Sequence, residues 1–278
     1  MKNNITGLRR VQLAELKIIK EIKRVCDEND ITYYISGGTY LGSVRHKGFI
    51  PWDDDADIAM PRSEFEKFLK VAPNKLSADF ELKTYKNDPT YPYYVPKVID
   101  NSVKLVDKSG VKDKIVPAWV DVFPLDGFPD SKLPAAIHKF DLLSKRALYN
   151  LSAFDDIVKV DTKNRPMVEK ILIWLGKNTS IFSRLDPIKR MDKITKSLKK
   201  YPDITSENYM NFMGSYKFKS VLNKEHIYGE GAFYEFEGDQ FWGPKNYDEY
   251  LTVIYGDYMK IPKIEDQNKH STEVLEDE

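Results

Sequence analysis

Between Ile50 and Pro61 the chain reads IPWDDDADIAMP, which sets Asp53, Asp54, Asp55 and Asp57 at the mouth of a short apolar run, Ala56 to Met60. Such a run reads as a strand. Alternate residues of a strand face the same side, so Asp55 and Asp57 present two carboxylates together while Ala56 and Ile58 turn toward a core. Carboxylates this close repel one another unless a cation sits between them, and hard oxygen ligands suit Mg²⁺ or Mn²⁺. The Asp-x-Asp spacing by itself is better read as an acidic turn facing water.

Two further features shift that balance. The β-branched and aromatic run Ile31 to Ile35 ends at Ser36, Gly37 and Gly38, and Thr39 to Arg45 reads as a short helix beginning immediately beyond the glycines. Glycines there let backbone N–H groups approach a phosphate, and the helix terminus adds partial positive charge, although a double glycine alone marks many ordinary turns. In WVDVFPLD, Asp121 is embedded in a strand from Ala118 to Phe123 that Pro124 is expected to close. A charge in a strand needs a partner, which is either a metal shared with Asp55 and Asp57 or a lysine or arginine. Arg45, His46 and Lys47 are candidates for phosphate oxygens, with Lys97 a weaker one, and each is equally read as a solvated residue.

Around these motifs the chain mixes strands and helices. Leu8, Val11, Leu16, Ile19, Ile22 and Val25 mark an amphipathic helix with Thr6 as its N-cap, and Ser63 is expected to cap a helix carrying Phe65, Phe68 and Leu69. Tyr93 to Val98 and Val103 to Val106 read as a hairpin. From Ser131 to about Lys200 the spacing turns helical and ends in the basic run Arg184 to Lys200, while beyond Asn208 the chain is aromatic-rich. There, strands are expected at Tyr209 to Phe218 and Ala232 to Phe236, a helix at Tyr247 to Tyr255, and a frayed acidic tail. The expected fold class is α+β, in one compact unit with a catalytic core over 1–130, a helical annex over 131–205 and a C-terminal segment over 206–278.

Composition narrows the function classes. Lys and Arg together number 43, matching 43 Asp and Glu, so no global field draws the chain to nucleic acid. The longest apolar stretch, Ile171 to Leu175, is too short to span a bilayer, and the N-terminal residues lack the core of a secretion signal. A single cysteine, Cys26, permits no internal disulfide, and a cytoplasmic location is the expectation.

The segments SGGTYLGSVRHKGFIPWDDDADIAMP (Ser36 to Pro61), VDVFPLDGFP (Val120 to Pro129) and YGDYMKIP (Tyr255 to Pro262) resemble the LicD family of phosphotransferases within the nucleotidyltransferase superfamily, which also includes fukutin-related protein. The resemblance implies a nucleotidyltransferase-type mixed β-sheet flanked by helices. It also implies metal on Asp55, Asp57 and Asp121, which are the catalytic residues, and phosphates at Gly37 and Gly38; Ser36 and Thr39 of the same turn and the cations Arg45 and Lys97 are further candidates read from the residues themselves. It further implies a CDP-alcohol donor, CDP-choline favoured, whose phospho-alcohol passes to a hydroxyl of a glycan or lipid-linked glycan acceptor with release of CMP. Lys263 and Gln267 stand where members of the family tend to carry a proline and an arginine, while His270 is kept.

Aromatic faces for a choline headgroup are sought among Phe233, Tyr234, Phe236, Phe241, Trp242, Tyr247 and Tyr250, most of them expected to be ordinary core residues. The basic run is a candidate for peripheral contact with an anionic membrane surface. A nucleotidylyltransferase using a nucleoside triphosphate, and a non-catalytic module binding nucleotide or glycan, are the rival readings.

Overall fold

The computed structural model describes residues 7–88, 90, 91, 93–107, 114–153, 185–267 and 272–274. Thr6, the stretch 154–184 of the expected annex, and His270 lie outside them. The fold is mixed α+β.

The first helix, α1 (Gly7–Glu28), buries Val11, Ala14, Ile18, Ile19, Ile22 and Val25, spaced to form one stripe. That stripe lies against the central sheet. The sheet runs in the order β1 (Tyr34–Ile35), β2 (Asp57–Pro61), β5 (Lys114–Phe128), β4 (Lys97–Asp107), β10 (Thr272–Val274). β3 (Phe80–Lys83) also pairs with β4, while β6 (Asn208–Met210) joins the far end of β5 and β7 (Leu222–Asn223) joins β6. β2 and β5 are parallel; the other pairings are antiparallel.

Between β1 and β2 sits α2 (Gly37–His46), and after β2 comes α3 (Arg62–Lys75), which packs on β2 and β5. Ser63 does not cap α3: the helix starts a residue earlier, and the Ser63 N–H and hydroxyl both donate to Asp203, at 3.1 Å and 2.6 Å. A remote carboxylate thus satisfies the free amide that a local side chain usually takes. Nearby, Arg62 donates to both oxygens of Asp126 at 2.7 Å and 3.0 Å, and both residues are buried.

Two strand expectations are corrected. The expected hairpin around Asn101 is a single strand, β4, whose register with β5 slips between Asp100 and Lys104. Asp100 accepts the Ser102 N–H at 2.8 Å and its hydroxyl at 2.5 Å, so turn chemistry is present but makes a bulge. Its true hairpin partner is β5. Pro124, expected to end β5, sits inside it, because the neighbouring N–H on that side, Val122, already reaches Pro96, the residue just ahead of β4. Alternate N–H groups point the same way, so Pro124 deprives no ladder of a donor.

The helices α4 (Lys132–Ser152) and α5 (Pro187–Leu198) pack together, and Leu142, Tyr149, Met191, Ile194 and Leu198 form a cluster with Tyr85, Tyr94, Phe128 and Phe212. The C-terminal segment holds less strand than expected at its start. Asn211 accepts the Gly214 N–H at 2.9 Å and folds the chain over after Met210. A hairpin of β8 (Ala232–Phe236) and β9 (Asp239–Gly243) follows, turning through Glu237 and Gly238 at positive φ, then α6 (Tyr247–Tyr255). Glu237 ties the hairpin to α1 through Arg9 at 2.5 Å, and accepts the Phe49 N–H at 3.1 Å. No helix among the described residues is long and apolar enough to cross a membrane.

Candidate active site

The site begins with the sheet register. Asp57 opens β2 directly opposite Asp121 of β5, and Asp121 is in turn opposite Lys97 at the start of β4. Residues directly opposite on neighbouring strands project to the same face, so the three side chains form one row. Lys97 Nζ stands 3.8 Å from Asp121 Oδ1 and 4.0 Å from the centre of the Trp119 ring. The lysine partner weighed for Asp121 is therefore present, at a distance longer than a direct hydrogen bond.

Asp55 lies just ahead of β2 and faces the same region as Asp57, while Ala56 and Ile58 are buried in the core as the alternation requires. Asp53 and Asp54 are buried as well. Asp57 feels the arrangement most: burial, then the charges of Asp55, Asp121 and Asp53, hold its carboxyl well above the ordinary carboxylate range against the pull of Lys97. Asp121 is raised by burial, eased by Lys97 and pushed further by Asp55.

The glycine corner is shaped around these acids. Gly37 starts α2 with φ of +57°, a conformation costly for other residues. A Cβ there would stand 2.7 Å from Asp57 Oδ2, and one on Gly38 would stand 2.6 Å from Asp53 Oδ2. The turn is locked to β2 by the Ser36 N–H donating to the Asp57 carbonyl at 3.0 Å and the Asp57 N–H donating to Thr39 Oγ1 at 2.8 Å. Thr39 thus acts on the backbone of the acid strand. Ser36 Oγ meets the Tyr250 hydroxyl at 3.3 Å, and that hydroxyl also meets the Gly37 backbone.

These residues form one wall of a cleft of about 440 Å³. Ser36, Gly37, Gly38, Arg45, Asp55 and Asp57 line it; Thr39, Lys97 and Asp121 are not part of its lining. Arg45 donates to the Tyr258 carbonyl at 2.6 Å, bracing the far wall. His46 lies edge-on to Trp52, and Lys47 ends α2 in the left-handed conformation.

The far wall was flagged only in part, by Tyr250 and the segment Tyr255 to Pro262, with no place given to it in the site. It is built by Asn211, Tyr216, Tyr250, Tyr255, Asp257 and Lys260, far away in sequence. Of the aromatics considered for a headgroup only Tyr250 reaches the cleft, whereas Phe236 and Phe241 are fully buried in the core. Gly256, at φ of +76° within YGDYM, marks the sharp exit from α6 that presents Tyr255 and Asp257. The segment that holds this glycine carries part of the family resemblance, whereas nothing in the sequence singled out Asn211 or Tyr216.

Among the described residues no group of three or more His, Cys, Asp or Glu side chains is arranged to hold a metal ion unaided. The donors do suit one that a phosphate helps to bind: Mg²⁺ takes one or two carboxylates and completes its octahedron with substrate oxygens and water. The strain on Asp57 fits the same idea, since crowded, buried carboxylates lose their mutual repulsion when a cation enters.

Residues 30–124 match the nucleotidyltransferase domain of the LicD, fukutin and fukutin-related proteins. Across 271 residues, 95% of this chain and 95% of the relative, the sequence is 32% identical to the lipopolysaccharide cholinephosphotransferase LicD of Haemophilus influenzae. The chain belongs to the LicD family. It is accordingly an enzyme, a LicD-family transferase. An uncharacterized protein of Rickettsia typhi is 31% identical over 129 residues, 46% of this chain and 40% of that one. One of Rickettsia prowazekii is 30% identical over 143 residues, half of each.

Proposed function

We propose that this LicD-family enzyme transfers phosphocholine from CDP-choline to a hydroxyl of a lipopolysaccharide precursor, releasing CMP. The reading is carried by the row Lys97, Asp121, Asp57, with Asp55 beside it, set against a glycine corner at the edge of an open cleft. Near full-length similarity to a lipopolysaccharide cholinephosphotransferase supports the choice of group and acceptor.

Asp55, Asp57 and Asp121 would hold Mg²⁺ or Mn²⁺, which when bound offsets charge on the transferring phosphoryl group. The chain's own residues do the rest. Gly37 and Gly38 leave room for the diphosphate beside the carboxylates, and the first turn of α2 offers backbone amides to its oxygens. Arg45 contributes a fixed positive charge from within the same cleft. The acceptor hydroxyl attacks the choline-bearing phosphorus; a new P–O bond forms as the bond to the bridging oxygen breaks, and CMP carries away that electron pair. Asp121 accepts the hydroxyl proton, and Lys97 orients its carboxylate.

The test is CMP release from CDP-choline by the full chain, with and without Mg²⁺ or Mn²⁺, against a parallel assay for pyrophosphate from nucleoside triphosphates. Pyrophosphate without CMP would move the enzyme to the nucleotidylyltransferase reading.

The acceptor's lipid places the reaction beside an anionic surface, and the enzyme is proposed to be cytoplasmic and to meet that surface peripherally. The basic run supplies Lys189, Arg190, Lys193 and Lys196 on α5, whose opposite side buries Met191, Ile194 and Leu198. Vesicle binding that does not depend on anionic lipid removes this part of the proposal.

A further inference from the structure

The far wall of the cleft carries a feature that the acids do not use. Tyr216 and Tyr255 meet there with ring centroids 5.4 Å apart and planes at 77°, forming an aromatic corner that opens on the cleft. Their hydroxyls are engaged with each other, and the Tyr250 hydroxyl is engaged with Ser36 and Gly37. What these side chains offer a ligand is therefore ring faces more than hydroxyl groups. Tyr216 is 39% exposed even with Lys219 Nζ 5.9 Å over its ring, so ring surface is left for a ligand to cover.

The corner lies on the same cleft as the acids and in their field, with Lys219 over the Tyr216 ring and Lys260 in the cleft lining as the basic groups nearby. The charges of Asp53, Asp55 and Asp57 act on the Tyr216 phenol, and that of Asp57 acts on Tyr255. Asp257, two residues beyond Tyr255, lines the same cleft. A quaternary ammonium has no N–H to donate, so it is held by aromatic faces in a negative field and not by hydrogen bonds. In a phosphocholine ester only a two-carbon arm separates that cation from phosphorus, so its seat has to adjoin the acids.

We propose that the corner of Tyr216 and Tyr255 binds the quaternary ammonium headgroup of the donor and sets the preference for choline over a primary amine. The inference rests on the phosphocholine-transfer reading given above. Tyr216 supplies the exposed face, Tyr255 the perpendicular wall, and Asp257 adds negative charge at the opening.

Equilibrium binding of CDP-choline, CDP-ethanolamine and CMP to the full chain tests it, with Tyr216→Leu and Tyr216→Phe beside the wild type and far-UV circular dichroism to verify folding. The expected result is that Tyr216→Leu weakens CDP-choline about ten-fold, the scale of one desolvated cation–π contact, and leaves CMP within about two-fold. Tyr216→Phe, which keeps the ring, stays close to wild type. If Tyr216→Leu weakens CMP and CDP-choline alike, the tyrosine serves the nucleotide or the fold, and the headgroup seat is overturned while the transferase reading stands. Unchanged discrimination between the two CDP-alcohols in Tyr216→Leu also overturns it. A wild-type chain that binds neither CDP-alcohol overturns both readings together.

Discussion

Asp57 and Asp121 are Cα partners across the parallel ladder of β2 and β5, so two acids far apart in sequence share one face of the sheet at neighbouring positions. Such a pair is costly to hold in a folded protein, and the cost is visible in the raised protonation range of Asp57. Sites that store unfavourable interactions commonly do so for function.

Asp55→Asn and Asp57→Asn should each lower CMP release by about 10²-fold or more, because a neutral amide neither grips a cation nor offsets phosphate chemistry in the same way. In metal-free protein Asp57→Asn should unfold at a higher temperature than wild type, since one of several repelling charges is gone. Near-normal turnover in either variant removes the acids from the mechanism, and a lower melting temperature for Asp57→Asn contradicts the account of repulsion.

Arg62 and Asp126 form a bidentate pair that is buried where α3 meets β5. Asp126→Ala leaves the guanidinium buried without its counter-charge and should cost about 3–5 kcal/mol in urea unfolding. A loss below about 1 kcal/mol would show that Glu66, which accepts from Arg62 at 3.3 Å, suffices alone.

Hydrogen bonds from Arg24 and then from Ser77 pull the Glu21 carboxyl down from its ordinary 4.5 to about 2 in the folded chain, against the opposing effect of burial. Its lowered value means the folded state favours the ionised form, so its contribution is complete above pH 4.5 and disappears as pH falls toward 2. In Glu21→Gln the loss of stability between those limits should be shallower than in wild type, as read from denaturation midpoints at pH 5 and pH 3. Parallel slopes for the two proteins would assign the acid sensitivity to other carboxylates.

Gly42 in α2 faces the backbone of the following turn: an added Cβ would lie 2.4 Å from the Gly48 carbonyl oxygen and 3.3 Å from the Ile50 N–H nitrogen. Main chain cannot rotate away as a side chain does, so Gly42→Ala should destabilise by about 1–3 kcal/mol despite its better helix propensity. A stability equal to wild type would mean the turn from Lys47 to Ile50 gives way freely.

The acid strand was legible because its signals are local. Alternation assigned Ala56 and Ile58 to the core and Asp55 and Asp57 to the other side, and the glycine pair placed the helix start within a residue or two. What sequence left unread depends on partners. Asn101 and Ser102 look like a hairpin turn until Asp100 takes the Ser102 donors and the strand continues. Pro124 looks like a terminator until β4 is seen to begin only beyond the Pro96 that Val122 reaches. Ser63 looks like a cap until Asp203 arrives from the far side of α4 and α5. The tyrosine wall was half read: Tyr255 opens a segment that carries the family resemblance, but Tyr216 is one aromatic among many, and only the turn after Met210 and the exit at Gly256 bring the two rings together.

The cleft draws one side from the stretch around residues 36–57 and the other from residues 211–262. With the acids on the first side and the proposed headgroup seat on the second, a substitution in either half of the gene leaves the cleft residues of the other half in place.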